Sequence, residues 1–341
     1  MPDKTTDVAL LPTTTPSNDA GMIFGCVLNG SGGARPIEWA EAAHWKPAHI
    51  GETLWLHMDR TVPAVEKWLE TALPISEATL EVLLSNETRP RAYREGEGLV
   101  TVLRGINFNP GAQPEDMIAM QIWSDSSRVI TLRRRRLQTP FDVYTELEAG
   151  EGPQTAGDLL TALMEKMVAK MNHSIVDMNE HIDLMEENDD EWSTDEMLDV
   201  IARIRRNCLS LKRFMSPQHE ALQQINRENL SWLSEENRND IRETIERLHR
   251  YLDDLDVSKE SALVLQDDLN NRAAAKMNQT MYMLSIVAAI FLPLGFITGL
   301  LGINVGGMPG TDSGMAFWIT VVMLVALLAS QLYVFKKLKW L

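Results

Sequence analysis

Residues 281–301 and 315–335 of this chain contain no Asp, Glu, Lys, Arg or His. A helix rises about 1.5 Å per residue, so each run covers roughly the 30 Å of a bilayer's hydrocarbon core. Buried helices of soluble domains seldom go so long without a charge, and the pair predicts two membrane spans. Charge orients them. Arg272 and Lys276 precede the first span, Lys336, Lys337 and Lys339 follow the second, and the connection at 302–314 carries only Asp312. The positive-inside rule then places both termini in the cytoplasm and the connection outside. The expected element is a C-terminal membrane hairpin with a basic tail at 336–341.

The rest of the chain carries the charge. The formal net charge is −16 and the spans contribute nothing to it, which argues against a nucleic-acid partner and for gathering cations. Residues 1–20 lack the basic start and apolar core of a secretory signal and read as a mobile tail. Cys26 and Cys208 match no CxxC pattern and read as buried thiols. Residues 21–150 mix β-rich runs at 22–28, 53–58, 99–108, 117–123 and 128–134 with helical patterns at 62–73 and 75–84, an α/β cytosolic domain of unread strand order. Residues 158–216 and 218–292 contain no Gly or Pro. They predict a helical cytosolic segment at 151–233 and a stalk helix at 234–280, with turns near 186–196 and 234–240.

The stalk helix runs without a breaker into the first span, roughly 100 Å from residue 235 to 301. Its seam, Ile241, Ile245, Leu248, Leu252 and Leu255, continues through Lys259, Ala262, Gln266, Leu269 and Ala273. Such a 3.5-residue seam buries against other helices, of this chain or of copies of it. In the first span, Asn278, Met281, Ser285, Ala288, Leu292, Gly295 and Gly299 form one small, mildly polar stripe. The opposing Ile286, Ile290, Leu294, Ile297 and Leu301 are bulky and suited to lipid. Small residues allow close helix packing, and equally a water-filled lumen among several copies. Asn278 and Asn304 close the stripe at its two ends and weight it toward a pore, with Leu284 beside Ser285 in an apolar, dewetting constriction.

The string GIN at 302–304, between a long helix with its span and a second span, resembles the Gly-x-Asn signature of the CorA family of divalent-cation transporters. The first span with its Pro293 and the KKLKWL ending are similar to that family too. Ile303 stands where magnesium-transporting members carry Met, and GGMPG at 306–310 replaces an acidic loop ending. With TLWLHM at 53–58 and ETRPR at 87–91, this is most similar to the zinc-transport branch ZntB. The resemblance implies an inner-membrane, funnel-shaped homopentamer with an α/β cytosolic domain, a stalk helix and a pore gated at Gly302, Ile303 and Asn304. Five Asn304 carbonyls would ring its outer mouth and offer acceptors to a cation's waters. It also implies zinc as the transported ion, with cobalt, nickel, cadmium and magnesium as alternatives, and coupling to protons, with direction open.

Between residues 277 and 341, Asp312 is the only side chain of the classes that ligate dehydrated zinc. The ion therefore crosses largely hydrated, and no intramembrane carboxylate relays protons. In the cytosolic part, His173, Asp177 and His181 fall at i, i+4, i+8 with Glu180 and Asp183 nearby, a candidate metal cluster whose ends lie about 12 Å apart. Glu186, Glu187, Asp189, Asp190 and Glu191 read as a solvated helix tip. His44, His49, His57, His219 and His249 show no paired spacing and are assigned structural roles. The RRRR run at 133–136 is expected to serve salt bridges within or between subunits. No phosphate-binding loop, nucleophile elbow or zinc-hydrolase motif is present, so the chain reads as a non-enzyme without a resident cofactor. The competing class is a membrane-anchored coiled-coil scaffold, which would have no use for an Asn-ended stripe.

Overall fold

The computed structural model describes residues 20–49, 51–187, 192–303, 310, 313–338 and 340. Its elements run β1 (Met22–Leu28), β2 (Ala34–Pro36), α1 (Trp39–Ala42), β3 (Thr53–Asp59), α2 (Pro63–Ala72), α3 (Glu77–Leu84), β4 (Arg91–Glu95), β5 (Gly98–Gly105), β6 (Ile118–Ser124) and β7 (Arg128–Arg133). Helices α4 (Thr139–Ala149), α5 (Ala156–Ala169), α6 (Met171–Glu187), α7 (Thr194–Arg227), α8 (Glu235–Leu301) and α9 (Ala316–Lys337) follow. Asn304 and Asp312, with most of the loop between the spans, lie outside the described residues.

Among the described residues the strands form one sheet in the order β2-β1-β3-β7-β6-β5-β4. The β3–β7 pair is parallel and the other pairings are antiparallel. Leu54, Leu56 and Met58 of β3 face one core with Val65 and Leu69 of α2 and Leu83 of α3. On the opposite face Phe24 meets Trp55 edge-on and packs on Phe141 and Tyr144 of α4. Cover on both faces explains why β3 is apolar almost throughout, where a half-exposed strand would alternate. The two strands missed by the sequence patterns, β2 and β4, are the sheet's edges. Their sequences, ARP and RAYRE, carry the charge and proline that edges tolerate. The run expected at 99–108 ends at Gly105, because Asn107 Oδ1 accepts the Asn109 N–H at 3.1 Å and turns the chain.

His57 pairs in register with Thr131 in the β3–β7 ladder. The Thr131 hydroxyl accepts from Trp55 Nε1 at 3.0 Å and lies 2.9 Å from His57 Nδ1 and 3.2 Å from Leu56 O, so it links the two strands through one polar cluster. His57 Nε2 is buried without a partner. Burial first, and Arg133 second, hold the His57 pKa well below its ordinary value. Its role is structural. Burial likewise pushes the Cys26 thiol up to about 12 and Cys208 up to about 11, so neither supplies a thiolate at neutral pH.

Local signals set the helix starts. Thr155 with Asp158 and Ser193 with Glu196 make capping boxes, while Ser234 Oγ accepts the Asn237 N–H at 3.1 Å. Gly157 of α5 lies under the α7–α8 turn. A Cβ there would collide with Asn237 Oδ1 and approach Trp232 O to 3.0 Å. The heptad-like seam of α8 is buried within the chain: Ile241, Leu248 and Ala262 are fully covered and Ile245 and Leu255 nearly so. Arg247 bonds Glu165 of α5 at 3.4 Å, Ser258 donates to Asn179 of α6 at 2.6 Å, and Lys212 of α7 bonds Asp256 at 2.6 Å. Between residues 241 and 262, then, the seam's partners are the chain's own helices.

Within the chain, the contacts of the RRRR run among the described residues include ring faces and an amide, and its expected salt bridges between subunits are not tested by a single chain. Arg133 and Arg136 each stand 5.4 Å from the Phe141 ring centre, and Arg134 donates to Asn86 Oδ1 at 3.1 Å. The guanidiniums are thus held by an aromatic face and an amide.

Candidate ion-conduction face

Helices α8 and α9 both carry a stretch long and apolar enough to cross a membrane. Pro293 sits inside α8, where its missing N–H is tolerated as in other membrane helices. The span's hydroxyls turn back onto their own helix. Ser285 Oγ donates to Met281 O at 2.8 Å and Thr298 Oγ1 to Leu294 O at 3.0 Å. Ser285 therefore spends its proton inside the helix and has only lone pairs left to offer outward. At the end of α8, the Gly302 N–H donates to Thr298 O at 2.9 Å.

Within the hairpin, the half-buried residues of the span are Ile286, Ala289, Ile290, Leu294 and Ile297. On α9 they are Ala316, Thr320, Val321, Leu324, Leu327, Leu328 and Gln331. Each set falls on one helical face. Gln331 Nε2 reaches Ala289 O at 3.5 Å, and Tyr282 Oη donates to Trp340 O at 2.9 Å. The second span accordingly covers the bulky stripe. Four of the five residues expected to suit lipid are thereby half-covered, and Leu301 stays exposed.

The stripe of Asn278, Met281, Leu284, Ser285, Ala288, Leu292, Gly295 and Gly299 is exposed along its whole length. Ala288 and Gly295 leave a shallow apolar depression bounded by Phe291, Leu292 and Phe296. Gly302 and Ile303 are exposed at its end. Every α8 residue from 270 to 285 is also exposed. The face is neutral throughout and offers acceptor oxygens and apolar walls but no ligating charge.

The histidine and aspartate trio belongs to α6. His173, Asp177 and His181 line one cleft of about 270 Å³ with Gln113, Glu115, Arg203 and Asn207. His181 Nδ1 bonds the Asp177 carbonyl at 2.7 Å, which leaves Nε2 as the free lone pair. The side chains share the cleft without closing on a point: among the described residues no three His, Cys, Asp or Glu form a ready metal-holding group. One pairing invisible at the sequence level is His219 with His249, thirty residues apart, whose ring centres stand 5.5 Å from each other.

Residues 51–337 match the family described as CorA-like Mg2+ transporter protein. The chain belongs to this family. A divalent cation transporter of Pseudomonas aeruginosa, CmaX, is 38% identical over 95% of this chain and 98% of its own length. The zinc transport protein ZntB of Pectobacterium atrosepticum is 33% identical over 94% of this chain and 97% of its own. The solved structure of full-length CmaX superposes with a TM-score of 0.82 at 36% identity, covering 95% of this chain and 99% of that one. The magnesium transporter CorA of Methanocaldococcus jannaschii, at 15% identity, shares the fold with a TM-score of 0.78 over 93% of this chain and 98% of its own. An α/β domain, a long helix and two apolar C-terminal helices are therefore the family's architecture as well as this chain's.

Proposed function

We propose that this chain is a divalent-cation transporter, not an enzyme, acting in the inner membrane with both termini in the cytoplasm. Copies of α8, five by analogy with the family, surround an axis with the small-residue stripe inward and α9 outside. One observation carries this reading: the hairpin spends its bulky face on α9 and leaves the neutral stripe uncovered. The bare stretch of α8 at 270–280, ahead of the span, supports it, since a helix in water owes most of its stability to packing that this chain alone does not supply.

Cations cross largely hydrated, zinc among them, past Asn278, Met281, Leu284, Ser285, Ala288, Leu292, Gly295 and Gly299 to Gly302, Ile303 and Asn304. The zinc and divalent-cation names of the relatives at 33% and 38% identity support the substrate class. A neutral path lacking His, Cys or carboxylate cannot strip zinc of its water at reasonable cost. Cobalt, nickel, cadmium and magnesium are thus the competing cargoes.

The test is zinc and magnesium flux into proteoliposomes, with and without a pH gradient, for the wild-type chain and Asn304→Ala. Flux in the wild type, at least about tenfold lower in a variant that assembles normally, supports the reading, as expected when polar acceptors lining a pore are removed. Undiminished flux through the variant removes Asn304 from the path, and no wild-type flux of any divalent ion leaves the scaffold reading. A flux that rises with an inward proton gradient marks coupling.

A further inference from the structure

The antiparallel pair α7–α8 has a readable register. Lys212 meets Asp256, with both carboxylate oxygens at 2.6 Å, and two helical turns along, His219 faces His249. Toward the turn, Arg238 clamps the end of α7 by donating to Glu228 O at 2.8 Å and Asn226 O at 3.3 Å. Met215 and Leu222 of α7 and Ile245 and Leu248 of α8 are buried along the same stretch of the two helices. The two imidazoles are therefore held opposite each other by contacts on both sides, and their approach is built into the helix pair.

The rings stand 5.5 Å apart, centre to centre, with 32° between their planes. Two imidazoles bound to one zinc at about 2.0–2.1 Å, at a tetrahedral angle, have ring centres roughly 5–5.5 Å apart. One turn beyond His249 on the same face lies Asp253, its Oδ2 3.8 Å from His249 Nε2. His and carboxylate at i, i+4 can chelate a single ion, and here a second helix brings another imidazole to the same place.

We propose that His219 of α7 with His249 and Asp253 of α8 form a binding site for a borderline transition-metal dication, zinc by its tetrahedral preference, with water as fourth ligand. In the resting side-chain positions the three are not closed around a point. Asp253 is exposed and reaches the imidazoles by side-chain rotation, so the ion completes the site as it binds. Glu220 and Glu246 act electrostatically on His219 and favour a cation there. Magnesium is excluded, because it prefers hard oxygen donors in an octahedron and keeps its waters. The site shares no residue with the membrane face or with the His173 cleft, and it does not depend on the transport reading.

The experiment is equilibrium metal binding to the full-length chain in detergent, stripped of metal and free of any histidine tag. Cobalt is followed by its ligand-field absorption and zinc by competition with a chromophoric chelator. The wild type should bind an equivalent per chain with a four-coordinate cobalt spectrum that excess magnesium does not displace. His219→Ala and His249→Ala should each weaken that equivalent by about tenfold or more, as loss of one of three protein ligands demands, with Asp253→Asn smaller in effect. His173→Ala should keep it. His249 and Asp253 are largely exposed, so these variants retain the fold, which far-ultraviolet circular dichroism checks. An equivalent retained in both histidine variants, or lost in His173→Ala, overturns the assignment.

Discussion

Asp312 is the only acidic residue after Met277. In the proposed transporter it raises the local concentration of cations at the outer mouth, but a single carboxylate per subunit cannot complete a tetrahedral site. Asp312→Asn should therefore raise the half-saturating zinc concentration by about threefold or more at low ionic strength, with the order of preferred ions unchanged and the effect shrinking as salt screens it. A switch in preference from zinc to magnesium would make the mouth a coordination site and end the hydrated-ion argument. His57 tests the fold at the same scale. Its folded-state pKa lies well below the ordinary 6.5, so its contribution to stability is complete above about pH 6.5. As pH falls from there toward the folded pKa, the unfolded chain takes up a proton that the folded chain refuses. Stability then drops by up to about 1.4 kcal/mol per pH unit from this residue. Thermal unfolding read by tryptophan fluorescence should show that slope, and His57→Gln should remove it even if the variant is less stable throughout.

The hairpin's two helices divide their labour by side-chain size. Ile286, Ile290, Leu294 and Ile297 pack toward α9, and Leu292 stands on the uncovered stripe. In the proposed pore Leu292 belongs to the apolar constriction that stops ions at rest by dewetting. Leu292→Ser should raise the resting cation leak by about tenfold, while the same change at Leu294, on the α9 side, should lower stability and leave the leak alone. Equal leak from both would mean that the conducting face is rotated from the one inferred. The α7–α8 pair shows the other use of a long helix. Its seam is satisfied by α5, α6 and α7, so what resembles a coiled coil between subunits is, over residues 241–262, the packing of one chain.

For the whole molecule the relevant quantities are charge and symmetry. A formal charge of −16 favours cations over anions near the protein, and a neutral conduction face discriminates weakly among ions of similar hydration. Zinc, cobalt and nickel should compete for one flux with inhibition constants within about tenfold of each other, and chloride should not carry current. Zinc flux that tenfold excess cobalt and nickel leave untouched would call for a dedicated zinc ligand set in the path. Light scattering in detergent should return a five-chain mass, and a stable monomer that transports would contradict the arrangement around an axis.

The sequence alone determined the spans, the long helix that feeds the first of them, the α/β character of residues 21–150 and the family resemblance. These depend on length, period and local chemistry, which a chain carries regardless of its neighbours. The edge strands β2 and β4 were invisible because their pairing is a property of the sheet, and their charged side chains carry no alternation. Which face of the first span α9 would cover, and which helices would bury the α8 seam, are choices between surfaces that only packing makes. The i, i+4, i+8 spacing of His173, Asp177 and His181 placed them in one cleft, yet spacing on one helix cannot supply the opposing ligand that closes a site. His219 and His249 are thirty residues apart and share no local pattern. They meet because α7 and α8 are antiparallel and clamped in register by Lys212 with Asp256, a distance relation that exists only once the chain has folded back on itself.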